Sequence, residues 1–190
     1  IGILMDTKGP EVRTTVAAND QIVLKAGEQI KVKGAPDQQS TNECVCVSYP
    51  FFVRDVNVGD DILFDDGEID IKVAAKDDEY LYCLVQNDGV LGSRKSVNVP
   101  GVRINLPSLT ERDKVNIEIA IEQEIDFIAH SFVRNKQDLI DIQTILDAHK
   151  SPIKIISKIE NQESVDNIDE ILEHTYGVMI ARGDLGIEVA

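Results

Sequence analysis

Residues 153–163 read I-K-I-I-S-K-I-E-N-Q-E. Ile153, Ile155, Ile156 and Ile159 are apolar and β-branched, which suits a buried strand. Lys158 and Glu160 stand two residues apart at its far end, and residues i and i+2 of a strand point to one face. A buried strand therefore aims an ammonium and a carboxylate the same way. Two explanations are open: a salt bridge that closes a strand end, or a catalytic lysine beside a metal ligand.

The flanking segments repeat the pattern. Thr110-Glu111-Arg112-Asp113 is a capping-box-like start, and helix is expected from there to about Glu124. D-F-I-A-H-S-F-V (126–133) reads as an apolar strand. Residues 136–149 read as helix, with Leu139, Ile142, Ile145, Leu146 and His149 on one face. Residues 161–174 read as helix with Val165, Ile168, Ile171 and Leu172 inward. G-V-M-I-A-R-G (177–183) is a strand again. Such a β-α-β-α-β alternation, with strands apolar on both faces, predicts a parallel sheet covered by helices. The opening I-G-I-L-M-D-T has the same character.

Residues 12–99 read differently. E-C-V-C-V alternates, and I-L-F-D-D-G-E-I-D-I-K-V places Asp66-Gly67 between two apolar runs, a hairpin signal. Asp65-Asp66-Gly67 is better read as that turn than as a metal motif. No stretch here has a helical period, so a small β-barrel or sandwich is expected. The domains are predicted as 1–8 in the α/β part, 9–104 as a β insertion, and 105–190 as the α/β part resumed.

In all four α/β strands the unusual residues lie at the C-terminal end: Asp6-Thr7-Lys8-Gly9, His130-Ser131-Phe132, Lys158 with Glu160, and Arg182-Gly183-Asp184. Parallel α/β barrels and open sheets build their sites there, which favours the catalytic explanation of Lys158 and Glu160. Glu160 and Asp184 are hard oxygen donors suited to Mg²⁺ or Mn²⁺. A metal, Lys158 and further cations such as Arg13 and Lys95 describe a phosphoryl-transfer site. No P-loop and no G-x-G-x-x-G is present.

Bulk properties exclude other classes. The 190 residues are 43% hydrophobic and carry a net charge of −15, which disfavours nucleic acid and anionic membranes as partners. No apolar run approaches the roughly 20 residues of a membrane span. Cys44, Cys46 and Cys83 are three in number with no C-x-x-C, so a disulfide framework and a zinc site are not expected. They read as small buried residues in a reducing compartment. Both ends look cut, and a fragment is expected.

Several stretches together resemble pyruvate kinase: D-T-K-G-P-E-V-R (6–13), L-F-D-D-G (63–67), L-G-S and V-N-V-P-G within 91–101, S-F-V-R (131–134), I-I-S-K-I-E-N (155–161) and A-R-G-D-L-G-I-E (181–188). The resemblance spans the chain and keeps the family's order. It implies a partial (β/α)8 TIM barrel, about strands three to six, interrupted by a small β-barrel insertion domain that closes as a lid. It implies phosphoryl transfer from phosphoenolpyruvate to ADP, giving pyruvate and ATP, in a cytoplasmic glycolytic enzyme needing Mg²⁺ (or Mn²⁺) and K⁺, typically a homotetramer. Lys158 matches the lysine that neutralises the transferring group. Glu160 and Asp184 match the divalent-metal ligands, and Asp6 and Thr7 the K⁺ contacts. Gly183 and Asp184 amides match the substrate-carboxylate site, Ser131 and Phe132 line it, and Arg13 and Lys95 match nucleotide-phosphate contacts. Arg182 is expected to be structural. His130 and Arg94 depart from the residues often seen there, and His130 has no assigned role. Other readings are a different (β/α)8 enzyme handling pyruvate or phosphoenolpyruvate, such as a metal-dependent aldolase, and a non-catalytic module. This 190-residue chain alone is expected to be inactive.

Overall fold

The four apolar runs form strands Leu4–Asp6, Phe127–His130, Lys154–Ile159 and Gly177–Ile180. In the computed structural model, which describes residues 1–189, they lie side by side in that order and all parallel. Spatial order equals chain order. A doubly wound sheet would reverse partway along; winding in one direction is the habit of a (β/α)8 barrel. Helix Glu111–Glu122 precedes the second strand, and Lys136–Ala148 follows it. Two short helices follow the third strand, and Arg182–Glu188 follows the fourth.

The chain divides into two compact units, one of Ile1–Pro10 with Leu106–Val189, the other Glu11–Asn105. In the first, the core is aliphatic: Ile128, Ile155 and Ile159 from the strands meet Ile117, Leu139, Ile142, Leu146 and Ile171 from the helices. Ile142 is fully buried. Ile142→Ala is expected to lower unfolding free energy by about 2–5 kcal/mol, through lost transfer energy and a cavity. Denaturant unfolding checks this; a loss under about 1 kcal/mol would show that the site is loosely packed.

The helix starts follow the sequence signals. Thr110 accepts a hydrogen bond from the Asp113 amide, and the Asp113 carboxylate accepts one from the Thr110 amide in return. Buried Asp113 also accepts from the Lys8 amide at 3.1 Å. Asn135 caps Lys136–Ala148 through the Gln137 and Asp138 amides.

Three expectations need correction. The helix expected over 161–174 breaks into Gln162–Asp166 and Ile168–His174. Asn167 leaves helical geometry and its side-chain amide donates to the Arg134 carbonyl at 3.0 Å, a long-range bond that holds it at the break. Ile171 of the second piece is buried, while Val165 of the first piece and Leu172 of the second, both expected inward, are exposed. His149 is likewise exposed, its ring Nδ1 2.9 Å from the Ile145 carbonyl oxygen at the helix end. Finally, the run 177–183 is strand only to Ile180, and Val178, Met179 and Ile180 are exposed rather than covered.

In the second unit, six strands lie in the order Cys44–Val47, Gln29–Gly34, Leu81–Val85, Ile69–Lys76, Asp61–Phe64, Val97–Asn98. Gln21–Leu24 pairs with Gly89–Gly92 separately. Alternation buries Ile30 and Val32, Ile69, Ile71 and Val73, and Leu81, Cys83 and Val85. The Asp66-Gly67 signal is a hairpin turn between Asp61–Phe64 and Ile69–Lys76, with positive φ at Asp65, Asp66 and Gly67. One short helix, Phe52–Asp55, was not signalled by any period.

All three cysteines are free thiols. Burial pushes the Cys83 thiol up to about 12 and the Cys44 thiol to about 11. Thiolate is the reactive form, so at pH about 8 a thiol reagent is expected to spare Cys83 in the native chain and to label all three cysteines in denaturant. Rapid native labelling of Cys83, read by mass spectrometry, would contradict its burial. Among the described residues no helix is long and apolar enough to cross a membrane.

Candidate active site

The parallel register brings the ends of three strands to one level. Asp6 pairs with Ala129, and His130 with Ser157, so Asp6, Ser131 and Lys158 converge although they are far apart in sequence. Lys158 Nζ lies 3.1 Å from Glu160 Oε1 and 3.3 Å from both Asp6 oxygens. It also donates to Ser131 Oγ at 3.0 Å. The three charged side chains differ in exposure: Lys158 14%, Glu160 1%, Asp6 58%. The ammonium is thus held from the inside by a fully buried carboxylate and from the outside by a wet one.

Burial works against the Lys158 ammonium, but Glu160 and Asp6 outweigh it and its pKa is raised. Lys158 is a fixed cation at neutral pH. Burial pushes Glu160 up; the Phe132 amide and Lys158 oppose this, Asp184 adds repulsion, and the balance is a raised pKa. Raised values on both partners are consistent here, because Lys158 has a second carboxylate and Glu160 has only one ammonium.

The Ser131-Phe132 corner is held tightly. The Phe132 amide donates to Glu160 Oε2 at 2.6 Å, with Phe132 itself at φ 55°. A positive φ in an aromatic residue is strained and persists only where its surroundings enforce it. Gly9, at φ 70°, lies against this corner, and a side chain there would sit 2.8 Å from Ser131 Cβ. Ser131 Oγ donates to the Thr7 carbonyl at 2.6 Å, and the Ser131 amide donates to Thr7 Oγ1 at 3.0 Å. Thr7 Oγ1 is also 3.2 Å from His130 Nδ1. His130 is buried, which holds its pKa down to about 4; the imidazole is neutral.

Lys158, Glu160, Asp6, Thr7, Ser131 and Phe132 therefore form one cluster. Asp184 lies in the first turn of Arg182–Glu188 and is felt electrostatically by Glu160. Gly183 precedes it, with open space where a Cβ would be. Arg13 and Lys95 belong to the other unit, where the Arg13–Ser96 bridge brings their segments together. There Arg13 Nε meets Glu11 at 2.6 Å and Lys95 Nζ meets Asp65 at 2.8 Å. Sequence reasoning missed two links: Asp6 as a partner of Lys158, and His130 as a partner of Thr7. Only the strand-end position of each residue hinted at them.

Two hard carboxylates that repel each other, one of them fully buried, suit a divalent cation such as Mg²⁺. Among the described residues no group of three or more His, Cys, Asp and Glu side chains forms a metal cluster, so substrate or water oxygens would have to complete the coordination of such an ion.

The family model described as pyruvate kinase, barrel domain, matches residues 1–190. The chain belongs to the pyruvate kinase family. It is 46% identical over 190 residues to the pyruvate kinase of Borreliella burgdorferi, covering 100% of this chain and 39% of that protein. Against the pyruvate kinase of Bacillus licheniformis the identity is 48% over 197 residues, covering 100% of this chain and 33% of the relative. The crystal structure of a pyruvate kinase from Cryptosporidium parvum superposes with a TM-score of 0.94 at 38% identity, over 99% of this chain and 40% of that one. The chain thus spans between a third and two fifths of these relatives, and its four parallel strands are a segment of the pyruvate kinase barrel.

Proposed function

We propose that the protein containing this chain transfers the phosphoryl group of phosphoenolpyruvate to ADP, forming pyruvate and ATP. The observation that carries this reading is Lys158: a cation fixed by Glu160, Asp6 and Ser131 at the strand ends. Membership of the family supplies the reaction class. In the reaction a phosphate oxygen of ADP attacks the phosphorus, and the bond from phosphorus to the enol oxygen breaks. The electron pair stays on the enolate, which takes a proton to become pyruvate.

Lys158 is assigned to neutralise charge on the phosphoryl group and on the enol oxygen as that bond breaks. Such preorganised charge is the main resource in phosphoryl transfer. Glu160 and Asp184 would hold Mg²⁺ or Mn²⁺, which would supply further positive charge beside the phosphoryl oxygens. Asp6, by its carboxylate, and Thr7, by its carbonyl, would hold K⁺. The Gly183 and Asp184 amides are assigned to the substrate carboxylate. Ser131 and Phe132 line the site, and Arg13 and Lys95 are assigned to nucleotide phosphates.

The test is ADP-dependent pyruvate formation by the full-length protein, with and without Mg²⁺ and K⁺. Activity that requires ADP and Mg²⁺ supports the reading. Cleavage or formation of pyruvate without ADP would favour a metal-dependent aldolase instead. The 190-residue chain alone is expected to form no pyruvate.

A further inference from the structure

His130 is the buried group that the proposed chemistry leaves without a task. It closes strand Phe127–His130, is 1% exposed, and places Nδ1 3.2 Å from the hydroxyl of Thr7, itself buried. The same hydroxyl oxygen accepts from the Ser131 amide at 3.0 Å. The Thr7 carbonyl accepts from Ser131 Oγ at 2.6 Å, and Ser131 Oγ accepts from Lys158 Nζ at 3.0 Å. Thr7 and Ser131, bonded to each other twice, therefore stand between the imidazole and the ammonium. The bonds among His130, Thr7 and Ser131 are buried, where a lost partner is costly and the remaining groups shift to compensate.

We propose that His130 is a positioning residue for Lys158: its hydrogen bond to Thr7 fixes the Thr7 side chain, through it the Ser131 backbone amide, and so the place of the Ser131 hydroxyl that receives the ammonium. The effect on turnover rests on the phosphoryl-transfer reading of Lys158; the positioning itself does not. Thr7 Oγ1 uses one lone pair for the Ser131 amide and bonds Nδ1 with what remains, so either imidazole tautomer makes the contact. Without the imidazole, the Thr7 hydroxyl keeps only the Ser131 amide, and the anchor of the Ser131 backbone at the corner beside Phe132 loses its buried support.

The test uses the full-length protein with His130→Leu, His130→Asn, Thr7→Val and the double variant His130→Leu/Thr7→Val. Asparagine can place an amide nitrogen where Nδ1 was. His130→Leu is expected to lower kcat about tenfold, the scale of a lost supporting contact, with KM for phosphoenolpyruvate changed less than about threefold, as for an interaction used chiefly in the transition state. His130→Asn should recover most of the loss. Thr7→Val, which also takes the acceptor from the Ser131 amide, should lose at least as much as His130→Leu, and the double variant should be no worse than Thr7→Val, because His130 acts only through the Thr7 hydroxyl. A second readout needs no activity: brief acylation with acetic anhydride, with Lys158 modification measured by mass spectrometry. Lys158 labelling should rise severalfold in His130→Leu and Thr7→Val and return towards the parent in His130→Asn.

Equal behaviour of the leucine and asparagine variants, effects that multiply in the double variant, or unchanged labelling would each overturn the proposal. Should His130→Leu fail to fold, Thr7→Val removes that bond, together with the acceptor of the Ser131 amide, while keeping the ring, and unchanged Lys158 labelling there is equally decisive. A parent that lacks kinase activity but shows the expected labelling pattern would sink the phosphoryl-transfer reading and leave the positioning role standing.

Discussion

Lys158→Met in the full-length protein is expected to cut ADP-dependent pyruvate formation about a thousandfold or more, equivalent to about 4 kcal/mol of transition-state stabilisation. Methionine keeps most of the unbranched stem and removes the charge together with the donors to Ser131 and the carboxylates. The size follows from the setting. The ammonium lies against a fully buried carboxylate and a serine hydroxyl, so its orientation is set before substrate arrives and no solvent need reorganise around it. Glu160, left without its ammonium, takes up a proton more readily, which limits the damage to the fold. Circular dichroism should therefore show a folded variant. The loss should appear in kcat and in kcat/KM alike. A folded Lys158→Met with nearly full activity would remove the role given to Lys158. It would not disturb the family, which rests on the whole chain.

The second large effect is expected at Glu160, and two substitutions separate its tasks. Glu160→Gln keeps an oxygen that can accept from the Phe132 amide but discards the charge. It should lower activity about a hundredfold or more and raise the Mg²⁺ concentration needed for half-maximal rate. Stability should change little, because an ionised carboxylate in a buried site is itself expensive. Glu160→Ala also removes the acceptor 2.6 Å from the Phe132 amide. The positive φ at Phe132 then loses a bond that holds it, and Lys158 keeps only the exposed Asp6 as an ion-pair partner. A loss of about 3–5 kcal/mol in unfolding free energy is expected for that variant. Measured side by side, the glutamine variant should be stable and nearly inactive, the alanine variant unstable and inactive. Full activity in Glu160→Gln would show that the carboxylate charge plays no part in metal binding.

The site was unevenly legible. Lys158 and Glu160 could be read from one strand, because a period of two puts them on one face whatever the rest of the chain does. The metal preference could be read from residue type alone. The partners of Lys158 could not. Asp6 and Ser131 lie 152 and 27 positions away from it, and only the registers of the first two strands and of the second with the third bring them to the ammonium. His130 was visible as an odd residue at a strand end, yet its contact with Thr7 spans 123 positions and has no local signature. The capping box at Thr110 was legible because it closes within four residues. The break at Asn167 was not, because the carbonyl that draws its side chain away belongs to Arg134, 33 positions earlier.

Local patterns in the chain established the alternation of strands and helices, the β-rich insertion, the hairpin at Asp66-Gly67 and the polar residues at every strand end. Each depends on neighbours a few positions apart, where periodicity and turn chemistry act. Only the assembled sheet decided which strand ends stand level, and so which side chains hold the Lys158 ammonium and which residue stands behind them. Those contacts depend on inter-strand register, which the backbone ladder and the burial of Ile128, Ile155 and Ile159 set together. A shift of one residue there would turn every one of these side chains to the other face.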